Sequence, residues 1–165
     1  MCKEIVRDYI SPEETPDFKS KSMVFGELRE PIAIQHFEKL FGKKVTPVTF
    51  VEKNKYSGCS PDGLIDEEYA GVEIKNPSLT TFIDYVEMSE EELLKEVKDY
   101  YNQCQMNLYI TKRKKWYLVL FNEKFKRDLI VLDIYPDKET FKKLEIGLKT
   151  SEKRIKQLLK LMKKH

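Results

Sequence analysis

The chain has 165 residues, of which 41% are hydrophobic and 35% charged, and its formal net charge is +2. This length and composition predict one soluble domain over residues 1–165 with a single core. No apolar run approaches the roughly 18 residues of a membrane span, and no apolar signal-peptide core opens the chain. Three widely spaced cysteines and two histidines argue against a zinc framework. We therefore expect a cytoplasmic protein without a membrane partner.

The first elements predicted are a polar lead-in and a helix. Residues 1–20 are polar and contain two prolines, which favours a short lead-in segment. Apolar residues then recur at helical spacing from Ser22 to Phe41, and Gly42 follows as a stop signal. Pro31 lies inside this pattern, so we expect a kink there or a helix that begins near Glu30.

The next stretch predicts a meander of three strands. β-Branched residues favour a strand from Val45 to Glu52, with Pro47 placing it at an edge or a bulge. Two shorter strands, Cys59 to Ile65 and Tyr69 to Lys75, are separated by the acidic turn at residues 66–68, which is typical of a hairpin.

The second half predicts a helix, two strands and a final helix. A capping box opens the first of these helices at Ser89, and the helix is expected to reach about Ile110. The runs Trp116–Phe121 and Leu129–Tyr135 are hydrophobic enough for central strands. A last helix is expected from residues 136–137 to Lys164. The element order predicts an α/β fold in which a central mixed sheet of about five strands is flanked by helices.

The final helix is strongly basic. Residues 137–165 contain 10 Lys and Arg against 4 Asp and Glu, a local balance of +6. A run of this kind is either the solvated face of an amphipathic helix or a stripe that faces phosphates, and the sequence leaves both interpretations open.

Three residues carry the strongest chemical signal. Side chains at i and i+2 of a strand share a face, so Glu73 and Lys75 should project together, with Asp62 on a neighbouring turn. Two carboxylates can hold Mg²⁺ with a phosphate and the carbonyl of Ile74, and the adjacent lysine can orient the attacking water. The spacing alone also fits an ordinary ion pair on a surface hairpin.

The flanking residues form an ordered set of motifs. These are Gly26-x-x-x-Glu30-x-x-Ala33, Gly58-x-Ser60-Pro61-Asp62-Gly63-Leu64, Glu73-Ile74-Lys75-x-Pro77, Tyr100-x-x-Gln103-x-Gln105-Met106 and Trp116. The set spans about Gly26 to Phe121 and resembles the YqaJ-like viral recombinases, to which the phage lambda exonuclease is related. These are restriction-endonuclease-like nucleases with a PD…(D/E)xK signature.

The resemblance implies a role for each matching residue. Asp62 and Glu73 correspond to metal-binding carboxylates, Lys75 to the catalytic lysine, and Glu30 to a helical acid that helps hold a second metal or its waters. Gln103 corresponds to a helix glutamine that contacts the attacking water or the lysine. Ser60, Tyr100 and Gln105 correspond to residues near the substrate. Helix packing or a surface position is an equally open interpretation of Tyr100 and Gln105.

The function implied is a metal-dependent 5′→3′ exonuclease on double-stranded DNA that leaves 3′ overhangs for recombination by strand annealing. Mg²⁺ is the implied cofactor, with one or two ions and with Mn²⁺ able to substitute. The implied partners are DNA ends, a single-strand annealing protein and two further copies in a ring-shaped trimer, in a bacterial or phage-infected cell. Two alternatives stay open: a structure-specific or nicking endonuclease on the same fold, and a catalytically inactive DNA-binding module.

Overall fold

The computed structural model describes residues 21–162, with side chains from Gly26 onward, so the predicted lead-in at residues 1–20 lies outside the described part. A central sheet lies between two layers of helices. The elements in chain order are α1 (Lys21–Phe41), β1 (Val51–Asn54), β2 (Ser57–Cys59), β3 (Gly63–Ile65), a 3₁₀ turn (Asp66–Glu68), β4 (Ala70–Lys75), α2 (Leu79–Glu87), α3 (Glu90–Glu96), α4 (Lys98–Thr111), β5 (Lys115–Phe121), β6 (Leu129–Ile134) and α5 (Lys138–Met162). This confirms the predicted α/β fold with a mixed sheet.

The central sheet has four strands in the order β3-β4-β5-β6, fewer than the five or so that the sequence predicts. Strands β4 and β5 are parallel, and the other neighbours are antiparallel. A parallel pair needs a crossover, which α2, α3 and α4 supply. The remaining two strands, β1 and β2, pair only with each other among the described residues.

The predicted strand from Cys59 to Ile65 is therefore wrong as one element. It divides into β2, which pairs with β1, and β3, which pairs with β4. Pro61 lies in the break, where it cannot donate a ladder hydrogen bond. The break leaves residues 60–62 as a loop that turns from one sheet to the other.

The predicted strand from Val45 to Glu52 is also largely wrong. Only its last residues join β1, and Thr46 makes a single bridge to Leu64. Pro47 follows that bridge and lacks the N–H that a longer ladder needs.

Alternation along the strands divides the core into two layers. Val72 and Ile74 face Ala33 and Phe37 of α1 on one side of the sheet. On the other side, Trp116 and its alternate neighbours in β5 pack under α2, α3 and α4. Since residues i and i+1 of a strand point to opposite faces, the side chain of Glu73 lies on the face covered by α4.

Helix α1 runs through Pro31 without a break and does not begin near Glu30. The proline costs one backbone hydrogen bond, and the buried contacts of Ala33 and Phe37 outweigh that loss. The helix ends where expected, because Gly42 adopts a positive φ of 62° and its N–H caps the carbonyl of Glu38.

The crossover contains one helix that the sequence did not predict and one break. Helix α2 begins after Ser78, whose hydroxyl caps the N–H of Thr81. The predicted helix from Ser89 to Ile110 has the expected capping box but divides at Val97 into α3 and α4. Val97 is buried among the α2–α4 side chains, so tertiary packing fixes the bend.

The last three elements agree with the prediction. Strands β5 and β6 match the two hydrophobic runs, and α5 begins after Asp137, whose carboxylate accepts from the N–H of Glu139. Its described part ends at Met162. Within residues 21–162 no helix has the length and apolar character that crossing a bilayer requires.

Gly71 gives a test of how tightly the sheet packs. An added Cβ there would lie 2.3 Å from the buried Trp116 ring, so we expect Gly71→Ala to destabilise the fold by about 1–3 kcal/mol through overpacking. Gly147 on α5 has open space around it, and Gly147→Ala should be neutral or stabilising. Urea unfolding of both variants measures the difference; equal stability would contradict the packing described here.

Candidate active site

The candidate site forms where β4 extends beyond its neighbour β3. The pairing of β3 with β4 stops at Gly63 opposite Val72, so the following residues of β4 have an open edge on that side. The loop that precedes β3 fills this edge: Oδ2 of Asp62 accepts a hydrogen bond from the backbone N–H of Ile74 at 2.5 Å. The break between β2 and β3 thus places Asp62 beside Glu73 and Lys75.

Glu73 is the centre of the site. Its side chain is only 1% exposed, and its two carboxylate oxygens have different partners. Nζ of Lys75 donates to Oε1 at 2.7 Å, and Nδ2 of Asn107 donates to Oε2 at 3.0 Å. The strand spacing predicted the first contact. The second comes from α4, and its signal in the sequence is that Asn107 lies four residues after Gln103 on the same helix face.

The electrostatics show a cluster with excess negative charge. Burial, and then the nearby Asp62, raise the pKa of Glu73 to about 7 despite the favourable contacts of Lys75 and Asn107. Burial also raises the pKa of Asp62, although the Ile74 N–H and Lys75 oppose the shift. Burial disfavours the Lys75 ammonium, but the carboxylates of Glu73 and Asp62 raise its pKa overall, so this lysine stays charged.

Helix α1 adds a third carboxylate from the other side. Burial raises the pKa of Glu30, Asp62 raises it further, and Lys75 lowers it. These effects place Glu30 within electrostatic range of both residues. The structure therefore brings all four charged residues of the sequence-based hypothesis into one region.

Helix α4 presents Tyr100 and Gln103 beside the same region. The ring centroid of Tyr100 lies 5.3 Å from Nζ of Lys75. Gln103 is exposed one turn further along, between Tyr100 and Asn107 on this face of the helix. An exposed amide here is accessible to a substrate or a water molecule.

Ser60 and Gln105 have different surroundings. Ser60 is exposed on the loop two residues before Asp62. Gln105 is fully buried, and its amide donates to the carbonyl of Tyr135 and accepts from the N–H of Asp137. These bonds join α4 to the start of α5, at the opposite end of β4 from Lys75. The Gln105 amide is thus bonded within the protein, which favours the helix-packing interpretation of this residue over contact with a substrate.

The donor set fits a hard divalent cation. Asp62 and Glu73 are carboxylates whose mutual repulsion a cation would relieve, and Mg²⁺ sites in proteins commonly use one or two carboxylates plus phosphate and water. The N–H and C=O of one strand residue point to the same side, so the carbonyl of Ile74 faces the open edge with its N–H. Among the described residues no group of three or more Asp, Glu, His or Cys side chains is arranged to hold a metal ion.

The family of the chain follows from comparison with family models. The model of the YqaJ-like viral recombinase domain matches residues 1–114, more than half of the chain. The chain belongs to the YqaJ-like viral recombinase family. The match contains Asp62, Glu73, Lys75 and Glu30, and it begins before Gly26, where the sequence motifs start. Comparison with curated proteins gives no match.

Solved structures share the fold of this YqaJ-like chain at low sequence identity. An alkaline exonuclease (LHK-Exo) from Laribacter hongkongensis has a TM-score of 0.81 at 20% identity, covering 99% of this chain and 81% of that one. The same exonuclease in complex with dAMP has a TM-score of 0.80 at 20% identity, with 99% and 82% covered. A phage-related exonuclease from Haemophilus somnus 129PT has a TM-score of 0.77 at 16% identity, with 98% and 82% covered.

The raised pKa of Glu73 gives a test of the site in the metal-free protein. Its folded pKa of about 7 exceeds the ordinary value of 4.5, so its stabilising contribution is complete below about pH 4.5 and is lost as the pH rises through 7. Between pH 5 and pH 8 this loss should be about 2 kcal/mol of unfolding free energy.

The measurement is urea unfolding with EDTA at both pH values. Glu73→Gln, which cannot ionise, should reduce the fall in stability by that amount, whereas exposed Glu87→Gln should leave it as in the unsubstituted protein. An equal fall in the Glu73→Gln variant would show that this carboxyl does not carry the effect.

Proposed function

We propose that this protein is a metal-dependent deoxyribonuclease, an exonuclease that degrades double-stranded DNA 5′→3′ and leaves 3′ overhangs. The observation that carries the proposal is the buried carboxylate of Glu73, held between Lys75 and Asn107 at a sheet edge that Asp62 faces. Placing two carboxylates and a charged lysine together in a half-buried region costs free energy, which is common at catalytic centres. Membership of a viral recombinase family supports a reaction on DNA.

The similar structures support the exonuclease reaction in particular. Two of the proteins with this fold are described as exonucleases, and one binds dAMP, a deoxynucleoside monophosphate. A deoxynucleoside monophosphate is the product class that stepwise removal of single nucleotides releases from DNA.

Asp62, Glu73 and the carbonyl of Ile74 would hold Mg²⁺ or Mn²⁺, and Glu30 would support a second ion or its waters. A bound divalent cation supplies charge neutralisation at the scissile phosphate and lowers the pKa of a bound water. Asp62 and the exposed Ser60 lie at the open edge of β4, so a phosphate would approach the buried Glu73 from that side.

The other residues would position the reactants. Lys75 keeps its charge beside Glu73, so its ammonium can orient the attacking water and stabilise the negative charge that develops on the phosphate. Asn107 fixes the orientation of the Glu73 carboxylate. Gln103 and Ser60 are exposed at the rim and would contact the water and a nearby phosphate, with Tyr100 packing beside the lysine.

The proposed biological role is in phage-type recombination. The exonuclease would act on DNA ends during phage-type recombination in the bacterial cytoplasm and would pass the 3′ overhang to a single-strand annealing protein. The whole chain would act as one nuclease domain and assemble as a ring-shaped trimer.

The test is digestion of three DNA substrates with Mg²⁺ or Mn²⁺: linear 5′-phosphorylated duplex, linear 5′-hydroxyl duplex and covalently closed circular duplex. We expect mononucleotides from the linear substrates, with the 3′-labelled strand lost from its 5′ end, and an intact circle. Cleavage of the circle would favour an endonuclease instead. No metal-dependent cleavage of any substrate would leave a DNA-binding module.

Lys75→Ala is the matched control for contaminating nucleases. We expect it to reduce turnover by at least about a thousandfold, since it removes the charge that stabilises the transition state. The thermal unfolding midpoint should fall because Glu73 loses its charged partner, and the same measurement checks that the variant stays folded at the assay temperature. Cleavage at an undiminished rate by Lys75→Ala would remove this lysine from the mechanism.

A further inference from the structure

We propose that a line of lysines on α5 binds the phosphate backbone of the DNA beside the β1–β2 hairpin that leads into the catalytic loop. This inference rests on the proposed function, because it assigns the surface that holds the substrate of that same site. The lysine stripe consists of Lys149, Lys153, Lys156 and Lys160.

The spacing of these lysines places them on one side of the helix. They follow one another at intervals of four, three and four residues, so each lies one turn beyond the last. The stripe is about 16 Å long, a length over which duplex DNA presents on the order of ten phosphate charges. All four lysines are exposed.

The stripe is not simply a face neutralised by glutamates. Lys149 pairs with Glu145 at 2.8 Å and Lys156 pairs with Glu152 at 2.5 Å, and such exposed pairs at i,i+4 contribute little and give way to stronger ligands. Within residues 26–162, Lys153 and Lys160 have no carboxylate partner. The stripe therefore keeps positive charge that a polyanion would complement.

The stripe borders the β1–β2 hairpin. Nζ of Lys156 lies 5.2 Å from the ring centroid of Tyr56 in the hairpin turn. A cavity of about 200 Å³ separates the hairpin from α5, lined by Lys53 on the hairpin and by Lys149, Glu145 and Glu152 on the helix. Lys53 also lies over the ring of Tyr109, with Nζ 3.5 Å from its centroid. Lys53 therefore adds one positive charge on the hairpin beside the stripe, in the same cavity as Glu145 and Glu152.

The hairpin in turn leads directly to the candidate site. Strand β2 ends at Cys59, and the next three residues carry the exposed Ser60 and the carboxylate of Asp62. A DNA strand whose phosphate lies at Asp62 can thus extend over the hairpin and meet the stripe. The stripe lies away from the residues that would act on the scissile phosphate. We therefore expect it to contribute to DNA binding and not to the chemical step.

The same helix offers a matched control. Lys143 and Arg154 are exposed on another face of α5, roughly 120° around the helix from the stripe. Replacing these two residues changes the net charge by the same amount as replacing two lysines of the stripe. The double variants Lys153→Gln/Lys160→Gln and Lys143→Gln/Arg154→Gln therefore differ only in which face loses its charge.

The experiment measures the Kd of each protein for a labelled linear duplex in EDTA by fluorescence anisotropy, between 50 and 200 mM salt. Loss of two phosphate contacts should lower the slope of log Kd against log salt by about 1.8 and weaken binding at least about tenfold at 100 mM salt in the stripe variant alone. Thermal unfolding of both variants checks that the fold is retained.

Equal Kd values and equal salt slopes in the two double variants would contradict the proposal that the stripe binds DNA, whatever the outcome for catalysis. Turnover at saturating DNA with Mg²⁺ distinguishes the two proposals: the stripe variant should retain the kcat of the unsubstituted protein. Absence of cleavage by the unsubstituted protein would contradict the proposed nuclease function, whereas cleavage with no difference in DNA affinity between the variants would contradict the stripe alone.

Discussion

The site depends on the burial of one carboxylate, that of Glu73. An ionised carboxylate is unfavourable in a protein interior unless charged and polar partners compensate it. Here Lys75 supplies a charge from the same strand face and Asn107 supplies an amide from the helix above. The compensation is partial, because the pKa of Glu73 is still raised to about 7. The cluster is therefore poised to accept a further positive charge.

The fold creates this environment through two features of the sheet. Strand β3 stops pairing before β4 ends, so the last residues of β4 have a free edge that Asp62 reaches. The parallel pairing of β4 with β5 requires a crossover, and the crossover returns through α4 over the same face. An antiparallel hairpin between the two strands would not place Tyr100 and Asn107 there.

The parts of the fold that could be predicted are those in which one local pattern dominates. The hydrophobic runs of β5 and β6 and the capping box at Ser89 gave the right element types, because burial on both faces and a local hydrogen-bond pair leave direct marks in the sequence. The grouping of Asp62, Glu73 and Lys75 followed from strand periodicity and family resemblance together. The division at Pro61 and the bend at Val97 were not predicted, since each depends on which distant element the segment packs against.

Two residues of the site illustrate the same limit. Gln105 and Asn107 are both polar residues on α4, and their types do not reveal that one bonds Tyr135 and the other Glu73. The rotation of α4 about its own axis determines which of its polar side chains faces which partner. That rotation is set by the apolar contacts of residues such as Leu108 with the sheet. The motif resemblance included Gln105, whereas the structure brings Asn107 to the carboxylate.

The most direct measurement of the central claim, that the Asp62–Glu73 pair is a metal centre, is a calorimetric titration with Mg²⁺ at pH 8. The unsubstituted protein should bind Mg²⁺, Asp62→Asn should bind it at least about tenfold more weakly, and exposed Asp84→Asn should match the unsubstituted protein. Unchanged Mg²⁺ affinity in Asp62→Asn would contradict the account.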